Sequence, residues 1–108
     1  MRNHLMTVAH KNLYVGLIRL HLLHHAVHEP IFGLGMIHEL ARHGYRLSAG
    51  TLYPILHSLE AGGYLKASER LVEGRRRKVY RATAAGRRAL REAKAKVKEL
   101  FGEMFEDD

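Results

Sequence analysis

Cysteine is absent from the chain, which excludes a disulfide scaffold and a thiolate metal site and fits a reducing compartment. No apolar run in the 108 residues reaches membrane-spanning length, and the first residues lack the basic start, apolar stretch and small-residue cleavage site of a secretory signal. The expectation is one domain in the cytoplasm, with no membrane partner. There is no His-Glu-x-x-His pattern and no carboxylate pair in a plausible pocket sequence, so a metal-dependent hydrolase finds no support and no enzyme is expected. The extended segments carry no row of aromatic side chains on which single-stranded RNA could stack.

What is present is positive charge, concentrated in one region. Residues 66–98 hold thirteen Lys or Arg against three acids, Glu69, Glu73 and Glu92, while the rest of the chain is slightly acidic; the formal net charge is +7. A basic segment inside an otherwise mildly acidic protein points to a polyanionic partner. A membrane surface fits less well, because no exposed aromatic or leucine anchors are interleaved with the bases.

The most informative stretch runs from Ser48 to Gly63. Leu52, Ile55, Leu56 and Leu59 recur at helical spacing and give one face to bury, leaving Thr51, Tyr53, His57 and Ser58 largely outside it. Ser48 and Thr51 compete as N-caps: with Ser48, Pro54 lies a full turn inside the helix, and with Thr51 it falls in the tolerant first turn. Gly62 and Gly63 supply the stop. Before this stretch, an apolar helix is expected from about Lys11 to His28. Its apolar residues cover so much of the circumference that a domain of this size cannot bury them all, which implies that a second subunit shares it. Residues 1–10 carry little signal and are expected to be partly disordered. Glu29-Pro30 breaks the pattern, and a second helix follows over about Leu34–His43 with Gly44 as its stop. Two short amphipathic helices joined by Gly44-Tyr45-Arg46-Leu47 make a helix-turn-helix pattern.

Beyond Gly63, residues 64–72 and 79–83 read as two strands, with Glu73-Gly74-Arg75-Arg76-Arg77-Lys78 as the loop and a charged tip between them. Such a tip beside a recognition helix suits contact with phosphates or the minor groove. Thr83 caps a last helix from Ala84 to about Phe105, on which Leu90, Ala93, Val97, Leu100 and Met104 form a heptad-like stripe with Phe101 and Phe105 beside it. Its charges oppose the helix dipole: Arg87, Arg88 and Arg91 stand near the start, and Glu103, Glu106, Asp107 and Asp108 at the end. The basic start is expected near DNA and the acidic end near basic groups of a partner subunit.

Ser48-Ala49-Gly50-Thr51-Leu52-Tyr53-Pro54-Ile55-Leu56-His57-Ser58-Leu59-Glu60-Ala61-Gly62-Gly63-Tyr64-Leu65 closely resembles the most characteristic stretch of the PadR family of transcriptional regulators. Gly74 to Arg87 resembles that family's wing and the start of its dimerisation helix, and the likeness covers about Leu17 to Leu90. It departs from the family pattern at Ala49 and Arg76, where proline is frequent, at Leu34, where an aromatic is usual, and at Ala82, where leucine is. The resemblance implies a mainly α fold with a small β-hairpin wing (α+β): a winged helix-turn-helix over residues 1–83, with N- and C-terminal dimerisation helices, the second being residues 84–108. It further implies a homodimeric repressor on a palindromic operator in double-stranded DNA, released by a small-molecule effector, with no cofactor. Ser48, Thr51, Tyr53 and His57 are the expected contacts of the recognition helix, Tyr53 and Thr51 with phosphate; Arg75, Arg76, Arg77 and Lys78 are those of the wing. Leu17, Leu20, Leu90, Val97, Leu100, Phe101 and Met104 are the expected dimer contacts.

His21, His24, His25 and His28 share one stripe of the first helix. Their plain reading is a polar stripe facing solvent or a cleft. The alternative is a metal- or pH-responsive regulator, since His21 with His25, or His24 with His28, has the separation at which two imidazoles grip one ion. No obvious third ligand completes the set, although Glu29 or a histidine from a second subunit could supply one, so no metal is assigned; His38, His43 and His57 read as isolated polar residues. A winged helix that docks protein instead of DNA is the remaining alternative, against which the basic wing argues.

Overall fold

The computed structural model describes residues 8–106. The chain folds as α1 (Val8–His28), β1 (Ile31–Phe32), α2 (Gly33–Arg42), α3 (Ala49–Ala61), β2 (Leu65–Val72), β3 (Arg75–Ala82) and α4 (Ala84–Glu106). Of the N-terminal stretch expected to be disordered, residues 1–7 lie outside the described residues, whereas 8–10 already belong to α1; Asp107 and Asp108 also lie outside.

Ser48 settles the register of α3. Its backbone is extended and its Oγ accepts a hydrogen bond from the Thr51 amide at 3.3 Å, so Ser48 is the N-cap. Pro54 therefore sits inside the helix, and the Gly50 carbonyl loses the N–H that would have met it. Both Gly50 and Pro54 are exposed, so that carbonyl is left to water rather than to the core. At the far end Gly62 is still right-handed, and Gly63, at φ +86°, makes the left-handed exit. Gly44 does the same after α2 at φ +91°.

Leu52, Ile55, Leu56 and Leu59 of α3 are buried, as their spacing required, against Ile18, Leu22 and Ala26 of α1 and Met36 and Leu40 of α2. Leu65 and Tyr80 close this core from the sheet. The order of the sheet is β1-β3-β2, all antiparallel. The two-residue β1, with Ile31 opposite Tyr80 and Phe32 opposite Val79, was not foreseen, because Pro30-Ile31-Phe32 reads as a plain break between helices.

The wing differs from the expected loop. Glu73 and Gly74, at φ +52° and +79°, form a two-residue turn whose twist suits a hairpin. Pairing then runs without interruption from Val72 opposite Arg75 to Leu65 opposite Ala82. Arg75, Arg76, Arg77 and Lys78 are accordingly on strand β3, not in the loop. A run of four bases looks like a solvated tip, but successive strand residues point to opposite faces, which separates adjacent charges and makes the run compatible with pairing.

α4 is fixed at its base. Thr83 Oγ1 accepts from the Gly86 amide at 3.0 Å and donates to the Gly63 carbonyl at 2.6 Å, while the Thr83 amide bonds the Tyr64 carbonyl at 3.0 Å. Gly86 is required here: a Cβ would run into the Tyr64 carbonyl oxygen and stand 3.2 Å from Leu23 Cδ1. The last helix is thus mounted on the residues that end α3. From there it packs along α1 and leaves its C-terminal half exposed.

Candidate nucleic-acid interface and the surfaces around it

Three faces of the molecule stand out. The first is the outer side of α3. With its leucines and isoleucine inside, Ser48, Ala49, Gly50, Pro54, His57 and Ser58 are exposed, and Thr51 and Tyr53 are half-buried. The N-terminal end is therefore made of small side chains and unpaired amide dipoles, which lets a duplex backbone come close and favours negative charge. Ser48 and Thr51 hold their hydroxyls 3.4 Å apart. Tyr53 is less free than its sequence position suggests: its ring lies against Gly33 at the start of α2, in space that a Cβ on Gly33 would occupy. His57 stands beside it, ring centroids 6.3 Å apart. Ser58 is tied in, donating to the Ile55 carbonyl at 2.9 Å and accepting from Arg19 of α1 at 2.9 Å.

The second face is the wing. The register puts Lys66, Arg70, Arg75, Arg77 and Arg81 on one side of the β2–β3 ladder and Glu69, Arg76 and Lys78 on the other. On that second side Arg76 is already paired, Nη1 to Glu69 Oε1 at 3.1 Å, and the Lys78 ammonium lies 5.7 Å from the centroid of the buried Tyr80 ring. On the first side the Arg77 guanidinium stacks over Phe32 at 5.2 Å, which holds its planar fork in place without neutralising it. The side bearing Lys66, Arg70, Arg75, Arg77 and Arg81 contains no acid, and it is the stronger attractor for phosphate.

The third face is apolar. Leu17 and Leu20 of α1 meet Leu90, Ala93, Val97 and Phe101 of α4 around an open groove of about 710 Å³, edged by His21, His24, Lys94 and Lys98. Leu17, Val97, Leu100, Phe101 and Met104 are between 46% and 61% exposed, an unusually large run of open apolar side chains.

The chain is similar in sequence and fold to a known group of proteins. The profile of the Transcriptional regulator PadR-like family matches residues 22–92. The chain is also 54% identical over 88 residues to the transcriptional regulator Rv3488 of Mycobacterium tuberculosis, covering 82% of each chain. This chain belongs to the PadR-like family. Among solved structures, the PadR family regulator of Eggerthella lenta has a TM-score of 0.73 at 33% identity, covering 90% of this chain and 88% of the other. The PadR-like regulator of Bacillus cereus shares the fold with a TM-score of 0.80 at 22% identity, covering 86% and 92%.

As a PadR-like regulator the protein acts on transcription through DNA and is not an enzyme. Among the described residues no helix is long and apolar enough to cross a membrane. The expected contact residues fall in two groups: Ser48, Thr51, Tyr53 and His57 lie on one helix, and Arg75 to Lys78 divide between two faces of a strand pair. Sequence reasoning passed over Arg46, exposed two residues before the Ser48 cap, and over Lys66, Arg70 and Arg81. The alternation of a strand carried through residues 75–78 would have found the last three. It also left Leu13, 70% exposed on α1, and Phe105, 56% exposed on α4, out of the dimer set.

The histidine stripe of this PadR-like regulator separates into two environments. His24 and His28 are exposed, their rings 4.8 Å apart, and His24 edges the α4 groove. His21 and His25 turn to the end of α2, His21 also edging that groove. There His43, expected to be isolated, lies with its ring 4.8 Å from that of His21 and its Nε2 3.1 Å from Glu39 Oε2. Glu39 Oε2 is also 3.7 Å from His25 Nε2, and its other oxygen meets Arg42 at 3.3 Å. Burial, and then the neighbouring His43, His25 and His24, lower the pKa of His21 below the usual imidazole value. The hydrogen bond from His43, assisted by Arg42 and His25, lowers that of Glu39.

Proposed function

We propose that this PadR-like protein is a cytoplasmic homodimeric repressor that binds a palindromic operator and is released by a small-molecule effector. The observation that carries the reading is the placement of an acid-free arginine face on the hairpin that directly follows a capped, small-residue helix. One element can enter the major groove while the other lies along the flanking backbone. Ser48 and Thr51 at the helix start, with Tyr53 and His57 behind them, are the contacts of the helix. Arg75 and Arg77 are the main contacts of the wing; Lys78 and Arg76 lie on its opposite face, Arg76 paired with Glu69, and contribute less. Residues up to Thr83 form the DNA-binding unit and α4 the dimerisation arm; the symmetry mate is met through Leu17 and Leu20 of α1 and through Leu90, Val97, Leu100, Phe101 and Met104 of α4. The groove between α1 and α4 then becomes one wall of an intersubunit cavity, apolar with a lysine rim, suited to an aromatic or lipophilic effector.

A two-fold dimer places its recognition helices about one helical turn, roughly 34 Å, apart. Selection from a random duplex pool, together with sedimentation equilibrium, tests the reading. A dyad-symmetric consensus with half-sites about ten base pairs apart, bound by two chains, is expected. An asymmetric consensus or a monomer on DNA would end it.

A further inference from the structure

Four groups from two helices converge where α1 meets the C-terminal end of α2. His21 and His25 are one turn apart on α1, and His43 closes the C-terminal end of α2. One nitrogen from each lies within 4.8 Å of the other two. Glu39, on the same turn of α2 as His43, directs its Oε2 at both His25 and His43 and gives its Oε1 to Arg42.

We infer that His21, His25 and His43, with Glu39 Oε2, bind a divalent transition cation of the zinc or nickel type, which ties α1 to the end of α2. Three imidazoles and one carboxylate suit such borderline ions; magnesium and calcium want more oxygen, and a thiolate-seeking ion finds no cysteine. In a tetrahedral site with metal–nitrogen distances of about 2.0–2.1 Å, ligand atoms stand roughly 3.3 Å apart. The nitrogens must therefore draw in by about 1.5 Å. His43 can supply much of this by side-chain rotation, since it is exposed at a helix end. Binding replaces the proton held between His43 Nε2 and Glu39 Oε2, which leaves to solvent. Arg42 stays on the outer oxygen and orients the carboxylate. The open side of His43 provides the entry path.

His43 is followed by Gly44 to Leu47 and then by the Ser48 cap. A cation here fixes α1 relative to the entrance of the recognition helix. This consequence rests on the DNA-binding reading; the site itself does not.

Isothermal titration of the chelator-treated full chain with zinc chloride and with nickel chloride tests the site without DNA, so a failure to bind operator leaves the result unaffected. One ion per chain is expected. His43→Ala and Glu39→Gln change no core residue and are expected to weaken binding, the first by at least about 100-fold. Zinc should raise the melting temperature of the wild-type chain and not that of His43→Ala. His24→Ala and His28→Ala should bind as the wild type does. Wild-type affinity in His43→Ala overturns the proposal. So does a loss in His24→Ala as large as that in His43→Ala, or a wild-type chain that binds neither ion.

Discussion

The two faces of the wing should be distinguishable by salt. Each phosphate contact made by a cation contributes about 0.9 to the slope of log affinity against log salt on double-stranded DNA. Arg75 and Arg77 lie on the face without acids, so Arg75→Ala with Arg77→Ala removes up to two contacts per subunit. Across a dimer this lowers the slope by about 3.6, and about 100-fold of the affinity difference between 50 and 200 mM salt disappears with it. Arg76 lies on the opposite face with its charge met by Glu69 at 3.1 Å, so Arg76→Ala should change the slope by less than about 1. Glu69→Gln frees Arg76 and should raise affinity at low salt. The assay is fluorescence anisotropy of a labelled duplex titrated at several sodium chloride concentrations. Equal slopes for the Arg75/Arg77 double variant and the wild type would refute the assignment of the wing, and a large effect of Arg76→Ala alone would refute the division of its faces.

Tight packing at Gly86 predicts an inverted glycine effect. In a helix Ala is favoured over Gly by about 1 kcal/mol. Gly16→Ala on α1, where a Cβ meets nothing within 4 Å, should raise the melting temperature, whereas Gly86→Ala, which drives a Cβ into the Tyr64 carbonyl, should lower it by several degrees. Tyr80 is fully buried, and among the described residues its hydroxyl has no hydrogen-bond partner. Tyr80→Phe should leave stability unchanged or raise it by about 1 kcal/mol in urea denaturation, and a loss of that size would mean that the hydroxyl is satisfied. Stability of the metal-free protein should fall on acidification. Unfolding returns His21 to an ordinary imidazole near pKa 6.5, above its folded value, so the unfolded chain binds the extra proton as pH drops through that range. Glu39 adds a loss as pH falls below the ordinary carboxylate range of about 4.5. His24, His25, His43 and Glu39 are the charged neighbours that set the size of the effect at His21. Melting in EDTA at pH 7.5 and 5.5 should show the drop, reduced in His21→Leu; identical melting temperatures at the two values would contradict it.

Much of the fold is written in local pattern. The 3.6-residue spacing of Leu52, Ile55, Leu56 and Leu59 dictates which side of α3 is buried, and Gly44 and Gly63 end their helices because each adopts a positive φ at little cost. Thr83 caps α4 through the bond expected of a threonine before a helix. The apolar excess of the first helix and the heptad-like stripe of the last are legible in sequence, and Val97, Leu100 and Met104 of that stripe are left exposed, with Phe101 and Phe105 beside it. The wing could not be read so easily. Charge density resembles a loop in sequence, and only the Glu73-Gly74 turn decides that the arginines alternate across a ladder.

The sequence by itself determined the helices, their glycine stops, the two-strand wing and the basic character of one region, because spacing, turn residues and net charge are properties of neighbours along the chain; the choice of Ser48 over Thr51 as the cap of α3 was left to the structure. Tertiary structure alone decided which charges remain available and which histidines meet. Glu69 reaches Arg76 across the hairpin, and His43 comes beside His21 and His25 from another helix. Both pairings arise from packing between segments distant in sequence, which no local periodicity encodes.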